Sequence, residues 1–162
     1  MQNNDVLKKL RYVLDYGDRQ MMDVFSLAGL DVSREKLSQW LKKDDDSDYK
    51  PCKSVELATF LTGLIIQKRG KKDGEIPEIE KSLTNNIILK KLSIAFSLRS
   101  EDIVSILELA DLRVGKSELS AFFRKKGHKN YRECKAQILR NFLFGLEIKY
   151  RKPQEEKELA KS

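Results

Sequence analysis

Apolar residues recur along this chain at helical spacing, in blocks that occur twice. The first block is Val6, Leu7, Leu10, Val13 and Leu14, and the second is Met21, Met22, Val24, Phe25 and Leu27. A narrower stripe of Leu37, Trp40 and Leu41 follows, then a broad one of Leu57, Phe60, Leu61, Leu64 and Ile65. Each block returns near a 3.6-residue period, which predicts four amphipathic helices. Asn3 or Asn4 is the expected N-cap of the first helix and Gly17 its end; Asp18 is the expected cap of the second and Gly29 its left-handed stop. Ser33 is placed to cap the third helix, and the fourth should run from about Ser54 to Lys68.

The same pattern then repeats. Sliding residues 3–69 onto 85–151 needs no gap and gives 23 identities over 67 positions. Among them are Asn3/Asn85, Asn4/Asn86, Leu7/Leu89, Leu37/Leu119, Tyr49/Tyr131, Cys52/Cys134, Gly63/Gly145 and Arg69/Arg151. The chain therefore carries two copies of one unit. In the second copy Ser100 is the expected cap of the second helix, and Asp111 stands where copy one has Gly29, so that turn cannot require glycine. Gly63 and Gly145 fall in mid-helix, where glycine costs about 1 kcal/mol relative to alanine. Two copies with the same unfavourable residue predict a close helix–helix approach. The expected organisation is all-α: two tandem four-helix units, 1–69 and 85–151, joined by a linker over 70–84 and followed by a C-terminal tail over 152–162. A unit of roughly 70 residues buries a modest core, so the copies are expected to pack on each other or on a second chain.

Charge separates the copies. The chain has 32 Lys and Arg against 25 Asp and Glu, a formal net charge of +7. Residues 1–69 hold 12 basic and 11 acidic side chains, whereas 85–151 hold 14 and 7. The excess is sharpest after the third helix. RKKGHKNYRECK, residues 124–135, carries six Lys or Arg and one Glu; KKDDDSDYKPCK, residues 42–53, carries four Lys and four Asp.

Within each copy the second and third helices have the outline of a helix-turn-helix, with Leu30 and Asp31 lengthening the turn. An ordinary helical hairpin inside a small bundle fits the same residues. For the basic run, phosphate contacts are one reading, because Lys, Arg and polar side chains supply most of them. On that reading Lys116, Arg124, Lys125, Lys126, Lys129, Arg132 and Lys135 would meet DNA or RNA. The other reading pairs this loop with the acidic loop Asp44–Asp48 of another copy or with a different protein.

Other chemistries find no support. Asp44, Asp46 and Asp48 alternate as in a calcium loop, but Tyr49 and Val55 stand where glycine and glutamate are needed, so no metal site is expected. His128 is the only histidine, and no phosphate-binding glycine motif is present. No enzymatic activity and no cofactor are expected. Cys52 and Cys134 each precede a lysine near a helix start, which can lower a thiol pKa, although a small buried residue is the commoner role. The apolar runs fall short of a membrane span and MQNNDVLKK lacks a signal-peptide core, so the expectation is a cytoplasmic protein with reduced thiols and no membrane partner.

The segments of pattern NNxxLKKL, with LAGLDVSREKLSQWLKK, FLTGLIIQKRG and YRECKAQILRNFLFGL, resemble the YehS-like family of small bacterial proteins. The resemblance runs from Asn3 to about Arg151. It implies two tandem copies of one helical domain in a cytoplasmic protein, and it carries no established activity and no site residues.

Overall fold

A computed structural model describes residues 1–71, 74–151 and 159–160. The described residues contain helices and no strand. In the first copy these are α1 (Asn3–Leu14), α2 (Asp18–Leu27), α3 (Arg34–Leu41) and α4 (Ser54–Arg69). In the second they are α5 (Asn85–Ala95), α6 (Ser100–Leu109), α7 (Lys116–Phe122) and α8 (Ala136–Leu146), with α8 continuing into a π-helical turn over Glu147–Arg151. The expected tail falls outside the described residues except for residues 159 and 160.

Helix ends differ by a residue from the expected caps. Asn3 and Asn4 lie inside α1; Gln2 is the N-cap, and its backbone N–H donates to Asp5 Oδ2 at 2.9 Å. Gly17 and Arg99 likewise precede Asp18 and Ser100 as N-caps, donating to Gln20 Oε1 and Asp102 Oδ2, each at 2.8 Å. A side chain at the third helical position does the capping, so the cap residue itself need not be polar. α1 ends before Gly17, with Asp15 in the left-handed region at φ 56° and Ser97 matching it at φ 54°. Ser33 does cap α3, accepting from the Lys36 N–H at 3.1 Å. Asp111 takes the left-handed conformation of Gly29, at φ 60° against 91°.

The expected core is the observed one. Leu7, Phe25, Leu37, Trp40, Phe60 and Leu64 are buried, as are Leu89, Leu107, Leu119, Phe122, Phe142 and Leu146. A single apolar cluster runs through both copies. α4 packs against α5, while α1 packs against α8 and the π turn. Each contact pairs the first helix of one copy with the last helix of the other, as a local two-fold produces. Arg69 Nη1 donates to Ser97 Oγ at 2.9 Å, across the junction. Its counterpart Arg151 pairs with Asp15 and lies 4.6 Å from the centre of the Tyr12 ring.

The mid-helix glycines mark the tightest crossings. A Cβ on Gly63 would overlap the Val24 carbonyl oxygen of α2, and one on Gly145 the Ile106 carbonyl oxygen of α6. The helices approach until backbone meets backbone, which only glycine allows. The connection between the copies is anchored too. Glu80 Oε1 accepts from Lys91 Nζ at 2.8 Å, and Lys91 is the one buried charged side chain among the described residues.

Candidate functional site

The segment after the third helix is held in place by a buried asparagine. In copy two Asn86 donates from Nδ2 to the carbonyls of Phe122 (3.0 Å) and Arg132 (2.8 Å), while its Oδ1 accepts from the Cys134 N–H at 2.9 Å. In copy one Asn4 makes the same three bonds to Trp40, Lys50 and Cys52, at 3.0, 2.9 and 2.9 Å. One side chain thus joins the first helix, the end of the third and the far end of the loop. Buried backbone groups that would otherwise lack partners are satisfied in the same step. The doubled Asn pair at each repeat start was the visible trace of this bracket, but an Asn at a helix start also fits a cap.

With the loop fixed, its side chains form a wall along α7. Arg132 N–H donates to the Ala121 carbonyl at 3.2 Å, drawing the strand of chain at Lys129–Arg132 against the helix. Between the two lies an open groove of about 820 Å³, lined by Lys116, Ser117, Ser120, Arg124, Lys129, Asn130, Tyr131 and Arg132, with Glu118 as its one carboxylate. A smaller hollow of about 200 Å³ adjoins it, lined in part by Lys90, Arg124, Lys125, Lys126 and Tyr131. Arg124 and Tyr131 border both.

The seven cations singled out in the sequence are all exposed. Lys116, Arg124, Lys129 and Arg132 share the larger groove, and Lys125 and Lys126 line the smaller hollow. Lys135 lines neither and pairs with Glu133 at 3.6 Å. Lys90 reaches the smaller hollow from α5, a cation that linear spacing did not connect to the loop. Glu118 and Arg132 approach at 3.9 Å, a loose and solvent-exposed pair.

The turn inside the loop is preserved although its chemistry changes. Asp46 Oδ1 accepts from the Asp48 N–H at 2.8 Å, and His128 Nδ1 accepts from the Asn130 N–H at 2.9 Å at the equivalent place. Asp44, Asp45, Asp46 and Asp48 are exposed. No cluster able to hold a metal ion occurs among the described residues.

The cysteines are buried against this bracket. Burial, with Glu56 adding to it, pushes the Cys52 thiol up to about 12, and burial with Glu133 pushes Cys134 up to about 11. Each Sγ faces the carbonyl of the lysine that follows, at 3.7 and 3.8 Å. A thiol in that state is a weak nucleophile, so the geometry supports the packing role.

α2 and α3 are joined by Ala28–Ser33, and α6 and α7 by the matching stretch. That connection is longer than the 3–4-residue turn of a DNA-binding helix-turn-helix. No helix among the described residues is long and apolar enough to cross a membrane.

Comparison with known proteins agrees with the internal repeat. The model of a protein family described as "Protein of unknown function (DUF1456)" matches twice, over residues 3–70 and 85–152. The Escherichia coli (strain K12) protein named "Uncharacterized protein YehS" is 42% identical over 148 residues, which cover 90% of this chain and 94% of that protein. No solved structure matches. Two family matches that together span most of the chain, each coinciding with one four-helix unit, show that the chain belongs to the DUF1456 family.

Proposed function

We propose that the protein is a non-enzymatic nucleic-acid-binding regulator that uses the basic groove of its second copy. The observation that carries this reading is the groove lining: four cations and one carboxylate on a fixed backbone, with serine, asparagine and tyrosine between them. A hollow in copy one that overlaps the equivalent region is lined by Lys36, Lys50 and Lys53 against Glu35 and Glu56. A shared scaffold that is markedly more positive in one copy is what a polyanion would select.

The test is binding of a labelled oligonucleotide across a salt series, with paired charge reversals. Affinity should fall steeply with salt, by a log–log slope of roughly 0.7 to 0.9 per phosphate contacted. Arg124→Glu with Lys125→Glu should remove binding while leaving the helical spectrum and melting temperature unchanged. Lys42→Glu with Lys43→Glu should change affinity much less, because Asp44–Asp48 already repel phosphate there. No affinity in the parent at low salt would defeat the reading.

A second reading rests on the exposed Asp44–Asp48 loop. The acidic loop of one molecule could seat in the basic groove of the next, a heterologous contact that builds rings or open chains. Sedimentation at low and high salt separates the two: self-association that salt abolishes, without oligonucleotide binding, supports this one.

A further inference from the structure

We infer that the nucleic acid this surface takes is single-stranded, and that Tyr131 is the platform on which one base stacks. The inference rests on the nucleic-acid reading above and narrows it.

The first observation is the fate of one tyrosine in two copies. Tyr49 is occupied: its hydroxyl donates to Gln2 Oε1 at 2.7 Å, and Lys8 Nζ lies 5.9 Å from the ring centre. Both partners are lost to Tyr131. Thr84 replaces Gln2 and turns its hydroxyl to the Ile87 N–H at 3.1 Å, while Lys90, in place of Lys8, lines the hollow. Among the described residues Tyr131 has no side-chain hydrogen bond and no cation on its ring. It is a half-buried aromatic held by its backbone, with His128 O accepting from its N–H at 2.9 Å.

The second observation is where the ring stands. Tyr131 and Arg124 border both basic hollows, so cations continue on either side: Lys116, Lys129 and Arg132 in one, and Lys90, Lys125 and Lys126 in the other. A basic track interrupted by a fixed aromatic is the arrangement that follows one backbone and stacks its bases.

The third is steric. A duplex is read by an element that projects into one of its grooves, most often the major one. Here α7 has two turns, and the loop latched by Arg132 to Ala121 stands along its flank. The face of α7 that carries Lys116, Ser117 and Ser120 is therefore part of a groove rather than a ridge. An unpaired strand fits where a double helix would meet the loop first.

The experiment is fluorescence anisotropy on the full chain with a labelled oligothymidine or oligouridine, and with a mixed-sequence duplex of equal length. The single strands should bind more tightly than the duplex at each salt concentration. Tyr131→Ala should weaken single-strand binding roughly 5- to 150-fold, the range of a lost base–aromatic stack, with the salt slope unchanged. Tyr131→Phe should stay near the parent and Tyr49→Ala should leave affinity intact. The phenylalanine variant guards against a loop that fails to form. A duplex bound as tightly as the single strands, or a Tyr131→Ala that binds like the parent, overturns the inference and leaves the basic groove standing. If neither oligonucleotide binds the parent, the nucleic-acid reading itself has failed.

Discussion

The two loops that follow α3 and α7 share a backbone and differ chiefly in the charge of the turn at their centre, residues 44–48 against 126–130. Each is bracketed by a buried asparagine making the same three hydrogen bonds, and each returns an N–H to the third helix, Lys50 to Gln39 and Arg132 to Ala121. The turn survives the exchange of Asp46 for His128 because either side chain offers an acceptor two residues before an N–H. What changed is charge and tethering: Asp44, Asp45, Asp46 and Asp48 became Lys126, Gly127, His128 and Asn130, Ser47 became Lys129, and among the described residues the tyrosine lost the side-chain partners it has in copy one. Shape is set by buried polar contacts that both copies keep, while the exposed positions that differ between them leave those contacts intact.

Breaking the bracket tests that separation most severely. Asn86→Ala would strand the Phe122 carbonyl and the Cys134 N–H in a buried setting and the Arg132 carbonyl in a partly buried one, and Asn4→Ala their counterparts. Each orphaned buried group costs about 1–3 kcal/mol, so a loss of about 3 kcal/mol or more is expected from either variant, measured by urea titration. The effect on oligonucleotide binding should differ. Asn86→Ala loosens the wall of the basic groove and should lower affinity at temperatures where the protein is still folded; Asn4→Ala should not. Equal stability losses with unequal affinities would confirm one scaffold and two surfaces.

The glycines give a smaller effect that should be symmetric. Gly63→Ala and Gly145→Ala each force a Cβ into a neighbouring carbonyl, so the helices must separate. The gain in helix propensity, about 1 kcal/mol, is opposed by an overpacking cost of about 1–3 kcal/mol, and a net destabilisation is expected in thermal melts of both. Leucine should be worse than alanine at either site. A copy in which alanine stabilises would be one whose crossing is looser than its twin's.

Much of this was legible in the sequence for a physical reason. Apolar period and a gap-free repeat report on what is buried, and burial repeats faithfully: Leu7, Trp40, Phe60 and their partners are core in both copies. The glycine crossings were legible because a residue that weakens a helix twice must be compensated. Helix starts were misplaced by one because Asp5, Gln20 and Asp102 cap from the third position, where an acidic or amide side chain also reads as ordinary surface. The asparagine bracket was hidden because its partners lie 36 to 48 positions away. The site divided in the same way. Lys116, Arg124, Lys129 and Arg132 stood out as charge, but Lys90 and the untethered ring of Tyr131 depend on how α5 meets the loop, which no local pattern encodes.

The smallest expected effect concerns a charge pair exchanged between the copies. Copy one places Lys36 where copy two has Glu118. Lys36 Nζ lies 3.0 Å from Glu56 Oε2, whose side chain is 12% exposed, and 5.3 Å from the centre of the Trp40 ring. Lys36→Gln would leave Glu56 with the Lys53 N–H as its remaining partner at 2.9 Å, so a loss of about 1 kcal/mol is expected with no change in affinity. Glu118 is more exposed and meets Arg132 only at 3.9 Å, so Glu118→Gln should leave stability within about 0.5 kcal/mol. It removes the one carboxylate lining the basic groove and frees Arg132, and a polyanion should therefore bind a few-fold more tightly at low salt, with the gain fading as salt screens the groove. The two substitutions act on equivalent positions, yet one should register only in the melt and the other only in the titration. If Glu118→Gln instead weakens binding, the carboxylate is a hydrogen-bond acceptor for the partner, and the groove reads bases or amines rather than phosphate alone.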